Sequence, residues 1–163
     1  MVRRTQVLSG SCALVLLALS LVFSLPGAPL SSDAVIIANP DVPVGDLSFN
    51  EVRRIFLGER QFWSSRLRIA LLLRAPASRE RDVMLKAVYE MSEAQFRQYW
   101  IGKVFRAEAA SAPQMFYSDE EILGAVSAIP GSIAAVETTR IPKGLKVIRI
   151  EGRLPGEAGY RLR

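Results

Sequence analysis

Leu47-Ser48-Phe49-Asn50-Glu51-Val52-Arg53-Arg54-Ile55-Phe56-Leu57-Gly58 contains a whole helix together with its start and stop signals. Ser48 and Glu51 form a capping box: the hydroxyl can accept from the backbone three residues on, and the glutamate can reach back to the serine amide. Val52, Ile55 and Phe56 share one face. Gly58 stands where a glycine stop belongs. Upstream, residues 34–38 are a β-branched apolar run that ends at Asn39-Pro40 and predicts a buried strand. Residues 42–46 read as a loop. Downstream, a polar loop carrying Phe62 and Trp63 leads to a second apolar run, residues 67–73, which ends at Arg74. Strand, helix and strand in this order announce an α/β domain.

The alternation continues along the chain. Pro76 stops the second strand, and Ser78 can cap a helix running to about residue 91. Ser92-Glu93-Ala94-Gln95 is a second capping box, opening a helix that bears Phe96, Tyr99 and Trp100 and that Gly102 closes. Those three aromatics at i, i+3 and i+4 indicate core packing, and packing is also the reading for Trp63. Residues 107–113 are small and loop-like. Ser118-Asp119-Glu120-Glu121 is a third box, and its acids read as first-turn carboxylates. Ile122, Leu123, Val126 and Ile129 follow. Pro130-Gly131 is a turn. Residues 132–136 and 145–150 are a third and a fourth strand. The glycines, proline and arginines of residues 151–163 predict a loose tail. The expected architecture is one small α/β lobe over residues 29–150, with a central mixed or parallel sheet flanked by helices. The sequence contains no internal repeat, no glycine-rich phosphate loop and no dinucleotide fingerprint.

The first residues read differently. Arg3 and Arg4 precede an uncharged apolar run, residues 7–25, which Pro26-Gly27-Ala28-Pro29 interrupts. A basic start, an apolar middle and a small-residue end are the layout of a secretory signal over residues 1–28. Ser24, Ala28 and Ala34 are candidate ends. The other reading of the same run is a retained membrane anchor. Either places the domain outside the cytoplasm, in the periplasm or otherwise secreted.

Composition narrows the chemistry. The 163 residues contain no histidine and one cysteine, Cys12, inside the apolar run. Cleavage would leave a domain without a disulfide. Serine-histidine and cysteine-histidine catalysis are excluded, and a zinc site has no usual ligand. No catalytic residue, metal site or cofactor is expected, and the chain reads as a non-enzyme. The net charge of +5 favours anions or a membrane surface. An exported location argues against nucleic acid.

The segment 47–58, Trp63, a strand ending in Arg74 and the later Ala128-Ile129-Pro130-Gly131-Ser132-Ile133 resemble, in this order, phosphate-type periplasmic solute-binding proteins. The resemblance spans residues 35–147. It implies a periplasmic-binding-protein-like fold that binds phosphate or another oxyanion, as part of or beside an ABC-type phosphate uptake system. Members of that family are usually two lobes with the ligand between them; this chain has the length of one. The resemblance therefore implies weak binding by the lone lobe. A homodimer, a membrane transporter or an envelope protein could supply the other wall. The alternative is a ligand-free interaction module on the same fold.

In the family, the strand-ending arginine precedes a Gly-Ser-Gly-Thr turn that opens a helix. Glycines let the backbone approach the anion, and free amides at the helix start point at it. Here the stretch is Arg74-Ala75-Pro76-Ala77-Ser78-Arg79-Glu80. Arg74 and Ser78 match by position. Ala77 and Arg79 replace the glycines, and Glu80 replaces the threonine. The implied ligand contacts are Arg74, Ser78 and Arg79, with Arg79 supplying a charge of its own. Glu80 would compete with the anion for the positive helix end. The Pro-Gly segment continues Ala134-Ala135 where the family has Gly-Tyr.

Overall fold

The computed structural model describes residues 33–137 and 141–163. The expected export segment, residues 1–28, lies outside them. In chain order the elements are β1 (Val35–Ala38), β2 (Asp46–Leu47), α1 (Phe49–Phe56), β3 (Phe62–Ser64), β4 (Leu67–Arg68), β5 (Ala70–Arg74), α2 (Arg79–Met84), α3 (Glu93–Phe105), β6 (Gln114–Phe116), α4 (Asp119–Ala128), β7 (Ser132–Val136), β8 (Lys146–Val147) and β9 (Arg149–Ile150). Five strands make a mixed sheet in the order β6-β5-β7-β1-β8. β5 runs parallel to β6 and β7, whereas β1 is antiparallel to β7 and β8.

The uninterrupted apolar strands follow from helices on both faces of this sheet. Ile36, Leu73, Ile133 and Ala135 point toward α1 and the α2–α3 region, where they pack with Val52, Ile55, Met84 and Trp100. Their neighbours Val35, Ile37, Leu72, Ala134 and Val136 point the other way, onto Ile122 and Val126 of α4. All four residues of β1 and all five of β7 are buried. The fold is the α/β lobe expected, with a mixed sheet.

All three capping boxes form. Ser48, Ser92 and Ser118 each accept from the amide three residues on, and Glu51, Gln95 and Glu121 return the contact. Gly58 closes α1 at φ 68°, and a β-carbon there would lie 2.7 Å from the Trp100 ring. The glycine therefore both permits the left-handed stop and makes room for the indole. Gly131, at φ 72°, is more constrained: an added β-carbon would meet the Arg68 carbonyl at 2.3 Å. Its own carbonyl accepts from the Trp63 indole at 2.8 Å, which ties the buried tryptophan to the Pro-Gly turn.

Several elements differ from the sequence expectation. The run 67–73 divides at Ile69: β4 pairs with β3 in a small hairpin, and only β5 enters the main sheet. Asp46 reads as the end of a loop, yet with Leu47 it forms a strand that pairs with β9. The helix beginning after Ser78 widens into a π turn at Leu85–Tyr89 and stops at Glu90, which is left-handed. Gly102 does not close α3, which continues to Phe105. The segment 151–163 is not loose: Tyr160 and Leu162 are buried in the main core.

Two buried phenols make the lobe sensitive to alkali. Tyr89 sits edge-on to Phe56 and Phe96, with its hydroxyl buried and unpartnered. The Tyr160 hydroxyl donates to the Ala34 carbonyl. Burial pushes both phenols well above the usual tyrosine range. The unfolded phenols ionise near pH 10 and the folded ones do not. Their contribution is therefore complete below that pH and is lost as the pH rises toward the folded values. Stability should fall by about 1.4 kcal/mol per pH unit for each phenol. Urea unfolding at a series of alkaline pH values checks this, and Tyr160→Phe should make the slope shallower. A flat profile would contradict it.

Candidate functional site

The carboxyl ends of the three parallel strands meet at one edge of the sheet. β5 ends in Arg74, and the next amide, of Ala75, donates to the Phe116 carbonyl at the end of β6. Pro76 turns the chain. Ala77 is left-handed at φ 68°, a conformation that costs a residue with a β-carbon about 1 kcal/mol. It occupies one of the two positions where the resembled motif has glycine. Ser78 precedes α2 with extended backbone but makes no side-chain cap bond, and its hydroxyl is buried without a partner. The third residue of α2 is Arg81, not a glutamate or glutamine, so no reciprocal capping box can form there.

Arg74 is the centre of this edge. Its Nε donates to Glu80 Oε1 at 2.6 Å and lies 3.2 Å from Asp119 Oδ1. Its Nη1 donates to the Phe116 carbonyl at 3.2 Å. The Arg74 side chain is 14% exposed and that of Glu80 only 5%. Glu80 and Asp119 belong to the first turns of α2 and α4, so two positive helix ends face the same two carboxylates. Arg79 turns outward and pairs with Glu137 at 3.5 Å, just beyond β7.

Arg74, Ser78 and Arg79 thus lie around one turn, but not in one constellation. Arg74 takes Glu80 as its closest partner, the Ser78 hydroxyl makes no hydrogen bond, and Arg79 pairs with Glu137. Glu80 reads from the sequence as a competitor for the helix end; in the structure its carboxylate is held by Arg74. Asp119 reads only as a first-turn acid. Its approach to Arg74 depends on the β6–α4 junction, 45 positions along the chain from the arginine, and no local pattern announces it. Among the described residues no group of three or more acids or cysteines could hold a metal. No described helix is long and apolar enough to cross a membrane.

No protein-family model matches this sequence, and no curated protein matches it either. Solved structures do. A protein assigned as a phosphate ABC transporter substrate-binding protein, from Clostridium perfringens and with phosphate bound, aligns with TM-score 0.60 and 16% identity over 76% of this chain and 46% of its own. PstS from Borrelia burgdorferi aligns with TM-score 0.61 and 15% identity, covering 80% of this chain and 53% of its own. An ABC-type phosphate transport receptor from Vibrio cholerae gives 0.59 and 16%, covering 76% and 48%. This chain therefore spans about half the length of the solved structures it matches, and it has the α/β fold of a periplasmic-binding-protein-like lobe.

Proposed function

We propose that this protein is an exported, non-enzymatic, solute-binding-like module that works by docking to a membrane transporter or another envelope protein, with the anion position at Arg74 filled from within. The observation that carries this reading is the Arg74 guanidinium held between Glu80 and Asp119. A free oxyanion would have to displace a nearly buried carboxylate from a 2.6 Å contact, or add a further negative charge beside two others. Like charges at that separation oppose binding in a poorly solvated site. Counted over the edge, Glu80, Asp119 and Glu137 outnumber Arg74 and Arg79. The neighbours in structure are binding proteins, which favours recognition over catalysis. Ile101 and Phe105, 61% and 90% exposed on α3, supply apolar surface that a protein partner can bury.

A second reading has its own support. The unpartnered Ser78 hydroxyl and the phosphate named for the structural neighbours favour weak binding of phosphate or another oxyanion, beside an ABC-type uptake system. Thermal unfolding of the protein in phosphate, sulfate and chloride separates the two. A ligand of the native state must raise the midpoint as its concentration passes the dissociation constant. The docking reading expects phosphate to produce no saturable rise beyond the non-specific salting-out effect it shares with sulfate. A saturable rise with phosphate that Arg74→Ala removes would overturn it and establish the oxyanion reading.

A further inference from the structure

At the amino-terminal end of β5, four residues and about 13 Å from Arg74, the surface opens into a cleft of about 170 Å³. It is walled by the start of β5, Trp100 in the middle of α3 and the small residues before β6. Its lining includes Arg60 and Arg68 and no aspartate or glutamate. The two arginines are not equivalent. Arg60 lies over the Trp63 ring and pairs with Glu51 at 3.6 Å, so its charge is already answered. Arg68 stacks over Phe62, and its polar partner among the described residues is the neutral amide oxygen of Gln61, at 3.3 Å. The rest of the wall mixes apolar side chains, among them Leu71, Ala112 and Trp100, with the polar Gln61, Ser111 and Gln114. Trp100 is 3% exposed, and its indole N–H is buried without a partner.

We infer that this cleft binds a small carboxylate carrying an apolar group, with the acid on Arg68 and the body against Trp100 and Leu71. The chemistry follows from the lining. A guanidinium facing no acid within the cleft attracts a carboxylate and can hold it through two parallel bonds. The apolar side chains beside the guanidinium displace part of its water and strengthen that pair. The size also fits, since apolar cavities of about 150 Å³ take up benzene. Inorganic phosphate would leave the apolar wall unfilled. The inference is independent of the arrangement at Arg74.

Benzoate is a suitable probe and benzamide its uncharged control. Titration of the protein by calorimetry, with tryptophan fluorescence alongside, should show saturable benzoate binding and at least about tenfold weaker benzamide binding. Arg68→Met keeps an apolar stem over Phe62 while removing the charge, and it should weaken benzoate by about tenfold or more. Arg149→Met, at an exposed position of β9 outside the cleft lining, should leave benzoate binding unchanged. No saturable benzoate binding, or equal binding of benzamide, would overturn the proposal, and neither result depends on a variant folding. Benzoate binding that survives Arg68→Met would overturn it as well.

Discussion

Removing residues 151–163 is expected to abolish cooperative unfolding of this protein at room temperature. The segment returns to the start of the described chain. The Ala34 amide donates to the Leu162 carbonyl at 2.9 Å, and the Tyr160 hydroxyl donates to the Ala34 carbonyl at 2.9 Å. Leu162 is fully buried and Tyr160 is 3% exposed. Arg161 lies 3.8 Å over the Phe49 ring, and the Gly156 amide donates to Asp33. Loss of one buried leucine side chain typically costs about 2–5 kcal/mol, and loss of a buried aromatic about 3–5 kcal/mol. Together these are comparable with the whole stability of a small domain, about 5–15 kcal/mol. The deletion would also strip cover from the start of β1, a fully buried strand of the main sheet. Leu162→Ala alone should lower stability by about 2–5 kcal/mol in urea unfolding. A truncated chain with an unchanged unfolding midpoint would show that these contacts add nothing.

That segment also shows where sequence reading loses its grip. Its buried residues, Tyr160 and Leu162, alternate with arginines over only four positions, too short a run to announce a strand. Gly152, Gly156 and Gly159 adopt positive φ and fold the chain back on itself, so the residues that suggest looseness are the ones that allow close packing. The opposite holds for α1 and α4 and for the start of α3. There, serine and an acid or amide three residues apart form a local pattern whose partners lie within one turn, and it survives into the fold intact. β1 and β7 were legible because covering both faces of a sheet requires a continuous apolar run. β2, β8 and β9 have two residues each, too short for any period, and they exist because a partner strand lies beside them.

The candidate site divides along the same line. Arg74 at a strand end, and Glu80 opposite it in the first turn of a helix, can be read locally. Asp119 and Glu137 reach this edge only through the sheet order β6-β5-β7, which brings three distant strand ends together. The charge balance that decides between an open and a filled anion position is therefore a property of topology. A motif comparison limited to residues 74–80 registers the lost glycines but not the additional acids.

The helix that follows Arg74 is tied to α3 by an arginine that no motif singles out. Arg81 is 1% exposed, yet it is charged. Its Nε and Nη2 donate to the two oxygens of Glu93 at 3.1 and 3.0 Å, and its guanidinium lies 4.1 Å from the centre of the Phe96 ring. The remaining nitrogen, Nη1, is buried without a partner. Arg81 thereby clamps α2 to the first residue of α3 across the π turn. Arg81→Ala should destabilise the protein by about 3 kcal/mol, measured by urea unfolding. That is the low end of the range for removing one member of a buried pair, because the Glu93 left behind is 28% exposed and can rehydrate. Arg81→Met tests the cause. Methionine fills much of the space with apolar atoms, and replacing buried ionic groups by apolar ones of similar volume often costs little. If packing against Phe96 dominates, the methionine variant should recover at least half of the loss. If the bidentate contact to Glu93 dominates, methionine and alanine should be equally damaging, and Glu93→Gln should approach them. Packing is the expected winner, because Nη1 is already unsatisfied in the folded state and methionine removes that desolvated donor along with the charge.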